Sequence, residues 1–312
     1  MSQIKSAVIG AGIQGQRHAQ KLHALPNSEL LAVVDLNLDL ATQAVSDLDA
    51  RAVQDYRDLI GDVSAVVVAT PASAHYEIAR TLIENGIHLL IEKPIATSVD
   101  EARELVDLAE AQSVVLQIGH QERFNPAVVG LTKHLTQPQF VESIRISPYN
   151  ARALDVSVVM DLMIHDIDLI HSFVQSPMAQ VDAVGRSVFS DHIDIGNARI
   201  RFENGCVANV TSSRVSMKTE RSLRVFQENS YLSADLHNKS LSAYSNRGEG
   251  PVTGPEDVAS DMQSYGASDE MMEQMKAFLD AITNGSAPVV SGRAGLQALE
   301  TATVIGELVS LS

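Results

Sequence analysis

The chain has 312 residues, of which 45% are hydrophobic and 20% charged, an ordinary globular composition that excludes disorder. Its formal charge of −16 excludes a general nucleic-acid binder, whose affinity comes from Lys and Arg on phosphates, and a protein that sits on anionic membrane surfaces. One cysteine, Cys206, leaves no internal disulfide and no thiolate metal cluster, and a length of about 150 residues per domain makes two domains the expectation.

Short apolar runs rich in Val and Ile at 7–9, 30–34, 65–69, 88–91 and 114–118 read as strands buried on both faces, as in a parallel sheet. Amphipathic stretches at 14–25, 38–48, 74–84 and 99–111 alternate with them as helices. Pro26 follows the first helix, Asn85-Gly86 ends the third with a residue suited to a left-handed cap, and Ser98 with Glu101 predicts a capping box on the fourth. This alternation means βαβ units with right-handed crossovers. After about residue 120 the order changes to a helix at 125–135, a strand at 141–147 and a long helix at 158–173. Strands follow at 181–189, 198–202, 207–215, 223–227 and 231–236. Asn204-Gly205 predicts a type I′ hairpin turn, and successive hairpins predict a largely antiparallel sheet. The Gly-, Pro-, Ser- and acid-rich stretch 247–267 reads as a long surface loop, and helices at 269–283 and 294–311 close the chain. The expected architecture is an α/β domain with a parallel sheet over 1–120, then an α+β domain with a largely antiparallel open sheet over 121–312. The last helix, 294–311, is a candidate to pack back on the first domain. No signal-peptide pattern opens the sequence, and apolar runs such as 65–69 are far below the roughly 18 residues that suggest a membrane span. A cytoplasmic location with no membrane partner is the expectation.

Gly10-Ala11-Gly12-Ile13-Gln14-Gly15 matches G-x-G-x-x-G between the first strand and the first helix, the context that makes the pattern informative. Gly10 permits the tight turn, Gly12 lets the backbone approach a pyrophosphate, and Gly15 lets helix and strand pack closely. The helix N-terminus then supplies N–H groups and a positive dipole end, so an acidic protein can still hold an anion. Asp35 ends the second strand where an acid hydrogen-bonds the adenosine ribose, and Leu36-Asn37-Leu38 brings no cation for a 2′-phosphate. The expected cofactor is NAD in a Rossmann domain.

Glu92-Lys93-Pro94 follows the fifth strand, at a carboxyl end where parallel sheets bind ligands. Asp161 and His165 are four apart and share a helix face, a plausible acid/base set. Adjacent residues His165, Asp166 and Asp168 point in different directions, so no metal is expected. His18 and Arg17 read as packing or surface residues of the first helix.

Together, Gly10 to Gly15, Thr70-Pro71 through His75, Glu92-Lys93-Pro94, and Asp161 with His165 resemble the Gfo/Idh/MocA family of NAD(P)-dependent sugar and polyol oxidoreductases, nearly end to end. Residues 119–126 and 155–168 look most like its UDP-N-acetylglucosamine 3-dehydrogenase branch. The resemblance implies oxidation of a secondary sugar hydroxyl, the C3 hydroxyl of a nucleotide sugar in that branch, to a ketone. It implies Lys93, His165 and Asp161 as catalytic residues: His165 the base, Lys93 a cation on the developing alkoxide, and Asp161 a partner for a neighbouring hydroxyl. A His side chain ordinarily titrates near about 6.5, which suits a base at neutral pH. Cofactor-binding residues implied are Gly10, Gly12, Ile13, Gln14, Gly15, Asp35, Thr70, Pro71, His75, Glu92 and Lys93. Substrate-binding residues implied are Lys93, His120, Arg123, Asp161 and His165. For Arg123 an interdomain ion pair is an equal reading. Arg152, Arg214 and Arg221 are candidates for a substrate pyrophosphate. Many family members carry glycines ahead of the Asp-x-x-x-His helix. Here stands Val156-Ser157-Val158-Val159, expected to reshape that wall. The second-domain sheet face is expected to pair two or four copies as a homodimer or homotetramer. Other readings are an inositol or free-sugar dehydrogenase, an NAD-dependent glycosidase-like enzyme and a non-enzymatic NAD-binding sensor.

Overall fold

The computed structural model describes residues 3–150, 156–248 and 250–310. The chain divides into two compact units, Met1–Gln121 with Asp269–Leu299, and Glu122–Ser268 with Glu300–Ser312.

The first unit holds β1 (Ile4–Ile9), α1 (Ile13–Ala24), β2 (Ser28–Val34), α2 (Leu38–Ala44), β3 (Arg51–Val53), β4 (Ala65–Val68), α3 (His75–Glu84), β5 (His88–Ile91), α4 (Val99–Ala111) and β6 (Leu116–Ile118). The six strands are parallel and lie in the order β3-β2-β1-β4-β5-β6. This is the Rossmann order, and it reverses between β1 and β4, where a crevice opens at the strand carboxyl ends. Val66 to Val68 and Leu89 to Ile91 are buried, as strands covered on both faces must be. The Ser98–Glu101 capping box forms. The three-residue edge strand β3 is too short to carry a period, and the sequence pattern misses it.

The second unit holds α5 (Pro126–Thr132), β7 (Pro138–Ile146), α6 (Ile164–Val174), β8 (Met178–Arg186), β9 (Ile195–Phe202), β10 (Val207–Ser213), β11 (Glu220–Gln227), β12 (Ser230–Asp235), β13 (Ser240–Asn246) and β14 (Val258–Ser264). Its eight strands lie in the order β14-β13-β12-β11-β7-β10-β9-β8, antiparallel except for β7 beside β10. Alternation in β7 buries Val141, Ser143 and Arg145 on one face and leaves Phe140, Glu142, Ile144 and Ile146 partly exposed on the other.

Two local expectations are corrected. The turn at Asn204-Gly205 is not type I′, because only Gly205 has positive φ, +87°. The Phe202 N–H donates to the Cys206 carbonyl and the Gly205 N–H to the Phe202 carbonyl, which makes a three-residue loop with glycine in the left-handed position. The stretch 247–267 is not all loop either, since it contains β14, an exposed edge strand paired with β13. Its VASDMQS sequence has no apolar alternation because neither face is buried.

After the second sheet come α7 (Glu270–Asn284) and α8 (Gly292–Ser310). The sequence boundary at 121 places α7 with the second domain. Instead Met275, Phe278 and Leu279 of α7 join Val8, Leu22, Val33 and Val67 in the first unit's core. An amphipathic stripe shows that a helix buries one face, not which core takes it. Helix α8 begins in the first unit and ends in the second.

Candidate active site

The loop after β1 separates two needs. A Cβ on Gly10 (φ +97°) would lie 2.6 Å from the Ala69 carbonyl oxygen, and one on Gly15 would collide with the Gly10 carbonyl, so the chain's own packing demands both glycines. A Cβ on Gly12 would meet nothing within 4 Å, so it would obstruct only a ligand. Gly12 also caps α1 without a side-chain hydrogen bond, and no acid stands in the first turn to quench its dipole. Ile13 and Gln14 are exposed beside it. The Asp35 carboxylate is held at this loop by the Ala11 N–H (2.8 Å) and the Asn37 N–H (2.9 Å), next to the fully exposed Leu36. At the end of β4 the Thr70 hydroxyl is buried with no hydrogen-bond partner. An open glycine cradle, an uncapped helix end, a tethered carboxylate and an orphaned hydroxyl on adjoining strand ends fit a dinucleotide.

Glu92 and Lys93 leave β5 in a turn pinned on both sides. The His18 ring of α1 donates from Nε2 to Glu92 Oε1 at 2.7 Å, and the Gln121 amide reaches the same oxygen at 3.4 Å. Gly119 makes room for this carboxylate, since a Cβ there would be 2.9 Å from Glu92 Oε2. Beyond Lys93, the buried His75 ring lies between two carbonyls, Pro94 at 2.8 Å and Thr70 at 2.9 Å. Burial pushes the His75 pKa down against the pull of those carbonyls and of Glu92.

In the second unit the helix predicted at 158–173 is broken at its start. Val159–Met163 forms a π-helical turn in which the Ile164 N–H reaches back to Val159, and α6 follows. Such turns insert an extra residue and often mark functional sites. Asp161 and His165 are partly exposed on this run, whereas Ile164, Asp166, Ile167 and Asp168 are buried. The inward acids are committed. Asp166 takes two hydrogen bonds from Arg145 (2.8 and 3.0 Å), which also donates to Glu122 at 2.8 Å. Asp168 takes two from Arg123 (2.6 and 2.9 Å). Burial alone would raise the Glu122 carboxyl, but the Arg145 and Arg221 charges and the Asn125 amide hold it below the usual range. Among the described residues no three His, Cys, Asp or Glu side chains gather in a way that could hold a metal ion. Burial pushes the lone Cys206 thiol up to about 11, far from a thiolate nucleophile.

At the far end of α6, the buried His171 ring bonds the Thr301 hydroxyl at 2.8 Å, and its pKa is pushed down to about 4 by burial, with Arg123 adding to the fall and Asp168 opposing it. The native state thus favours the neutral ring while the unfolded chain protonates near 6.5, so stability falls as pH drops from about 6.5 to about 4. The gap corresponds to about 3 kcal/mol in full. Across this range the urea midpoint of wild type should fall relative to that of His171→Leu, which lacks this dependence. Parallel curves would remove His171 from the account.

A model of the Gfo/Idh/MocA oxidoreductase family with an NAD-binding Rossmann fold matches residues 4–120, and the family's C-terminal domain matches residues 134–233. The chain belongs to the Gfo/Idh/MocA oxidoreductase family. Its cofactor is NAD, and the reaction class is dehydrogenation. UDP-N-acetylglucosamine 3-dehydrogenase of Acidithiobacillus ferrooxidans is 35% identical over 97% of this chain and 96% of its own length. A solved structure of that enzyme has a TM-score of 0.93, covering 100% of this chain and 99% of the other. The scyllo-inositol 2-dehydrogenase (NAD(+)) of Bacillus subtilis is 24% identical over 93% of this chain and 89% of its own.

Several residues that this family resemblance implies take other roles. His75 sits with its two ring nitrogens 2.8 and 2.9 Å from the Pro94 and Thr70 carbonyls, and its neutral ring donates to one of them, which ties together the loops after β4 and β5. Arg123 donates from Nε and Nη2 to Asp168, an ion pair within the second unit and not the interdomain pair expected. Arg214 is buried against Asp194, Ser190 and the Val156 carbonyl, so it is no phosphate candidate. Arg221 keeps an exposed side chain 3.5 Å from Glu122. Arg152 lies outside the described residues, as does Asp155. His120 is buried at the end of β6. Of the stretch 156–159, Val158 and Val159 are buried near Gly196 and Val156 is exposed. The contact of His18 with Glu92 is one the sequence pattern misses, because the two are 74 positions apart.

Proposed function

We propose that the enzyme oxidises the C3 hydroxyl of UDP-N-acetylglucosamine, or of a close nucleotide sugar, to a ketone. The whole-length likeness to the Acidithiobacillus enzyme carries this reading; the inositol dehydrogenase matches with fewer identities. In this reading Gly10, Gly12, Ile13, Gln14 and Gly15 hold the pyrophosphate on the N-terminus of α1, and Asp35 takes the ribose. Thr70 and Pro71 border the nicotinamide end. Bound NAD+ supplies the hydride acceptor. Lys93 places its ammonium on the alcohol oxygen and stabilises the developing alkoxide. His165 accepts the hydroxyl proton. Asp161, one turn before His165 in the π-helical segment, binds a neighbouring hydroxyl and orients the base. The Asp35 carboxylate repels a 2′-phosphate, which sets the preference for NAD over NADP.

The assembly we assign is a homodimer or homotetramer through the open face of the second sheet. There Phe140, Phe226, Tyr231 and Tyr244 form a row across four strands, with centroids 4.8 to 5.9 Å apart. Light scattering should then give two or four chain masses, and a monomer would sink this assignment. No helix among the described residues is long and apolar enough to cross a membrane. A cytoplasmic enzyme suits one buried thiol and NAD, and fractionation of cells would test it.

The deciding assay follows NADH with UDP-N-acetylglucosamine, glucose and myo-inositol, each with NAD+ or NADP+ and with hydroxylamine to trap the ketone. Turnover of the UDP-sugar with NAD+ is expected. Turnover of a free polyol alone, or NADP+ used at least as efficiently, would overturn the substrate or the Asp35 assignment respectively.

A further inference from the structure

His18 is fully buried, at 0% exposure on the inner face of α1. Its Nδ1 is buried with no hydrogen-bond partner. An unsatisfied buried polar atom costs about 1–3 kcal/mol. A leucine at the same helical position would avoid that cost and pack as well. What the ring gains in return is one short bond, 2.7 Å, from Nε2 to Glu92 Oε1. A carboxylate oxygen only accepts, so Nε2 carries the proton.

Glu92 is the hub of the turn. Its carboxylate also accepts the Lys93 backbone N–H, and Gln121 adds a third donor at 3.4 Å. The space it fills is kept open by Gly119, whose Cβ would lie 3.0 Å from the Glu92 Cα. Three elements therefore converge on one carboxylate: α1 through His18, the end of β5 through Lys93, and the end of β6 through Gly119 and Gln121.

We propose that His18 is a positioning residue for the reaction, holding the Glu92 carboxylate so that it fixes the Glu92-Lys93-Pro94 turn and the direction of the Lys93 side chain. This rests on the catalytic role given to Lys93 above. The charge state of Glu92 is part of the device. Burial would raise the Glu92 carboxyl, but the His18 hydrogen bond and charge, with Lys93, outweigh it and keep the group ionised. The titratable groups facing Glu92 are His18 from α1, Lys93 beside it, and His75 from α3, which feels its charge. Remove the His18 N–H and burial is opposed less strongly. Glu92 then protonates at higher pH, loses its hold on the Lys93 N–H, and the turn loosens.

Glutamine is the informative replacement, since its amide nitrogen stands as many bonds from Cβ as the His Nε2 does. His18→Leu should lower kcat about tenfold and move the Glu92 step of the acid limb of the kcat–pH profile, which lies below the step set by the His165 base, to higher pH, while the Kd for NAD+ stays within about threefold. His18→Gln should recover kcat to within about threefold of wild type, with the limb in its original place. Gly119→Ala guards against an unfolded leucine variant. It leaves His18 intact but presses on Glu92, and should lower kcat and shift the limb in the same direction. Wild-type kcat and pH profile in both His18→Leu and Gly119→Ala would overturn the proposal. So would equal losses in His18→Leu and His18→Gln that track a falling melting temperature, because that marks a packing role. Lys93→Met run in parallel separates the two layers: if it turns over normally the Lys93 assignment fails, and if it is inactive while the His18 and Gly119 variants are normal, only the His18 inference fails.

Discussion

Lys93→Met should lose about 10²–10³-fold in kcat, the usual loss for a donor aimed at developing oxyanion charge, with the Kd for NAD+ within about threefold of wild type. Met keeps the unbranched stem and removes only the charge. The alkoxide that forms as the hydride leaves is then less stabilised, whereas the glycine cradle and Asp35, assigned above to the pyrophosphate and ribose, are untouched. His165→Asn should cost about 10²–10⁴-fold by removing the proton acceptor. It should also remove the upper step of the acid limb of the kcat–pH profile, the one set by the base, and leave the lower step set by Glu92. The two losses should not add in Lys93→Met/His165→Asn, since groups serving one transition state act as a unit. Steady-state kinetics with NADH fluorescence titration checks each point. Wild-type turnover in either single variant removes that residue from the mechanism.

What the sequence could and could not reveal follows from how far apart interacting residues lie. The G-x-G-x-x-G loop, Asp35 and the capping box at Ser98 are local patterns, and the structure has each where the pattern puts it. A parallel sheet follows from alternating periods plus handed crossovers, and five of its six strands carry the apolar runs, whereas the short edge strand β3 carries none. By contrast, α7 buries Phe278 in the first unit, and no local period encodes a choice of core. The edge strand β14 lacks alternation because it is exposed on both faces. Single residues suffer most. His75, Arg123 and Arg214 look like ligand residues by type and position, and each lies against a partner that is distant in sequence or on the backbone, which no local pattern shows. His18 looks like packing and is the contact that organises Glu92. The π-helical turn at 159–163 depends on packing around Val159 and Met163, both buried, and has no sequence period of its own.

Asp166→Ala should lower stability by about 3–5 kcal/mol, the cost of leaving a buried charge without its partner. Arg145 is the stranded group: its side chain is 5% exposed, and Asp166 supplies two of its hydrogen bonds. Glu122 remains at 2.8 Å but is more exposed, at 13%, and is shared with Arg221, so it compensates only in part. Glu122→Ala should therefore cost less than Asp166→Ala. Replacing the pair together by apolar residues, Arg145→Met with Asp166→Leu, should recover much of the loss, because both desolvation penalties vanish at once. Urea titrations of wild type, Arg145→Met, Asp166→Leu and the double variant would show this as a coupling energy. The result bears on chemistry as well as folding. The run from Asp161 to Asp168 carries four ionisable side chains and turns two inward to arginines, leaving Asp161 and His165 partly exposed. If Asp166→Ala proved neutral for stability yet abolished turnover, the inward acids would belong to the reaction. Loss of stability with near-normal kcat in the folded fraction assigns the chemistry to Asp161 and His165.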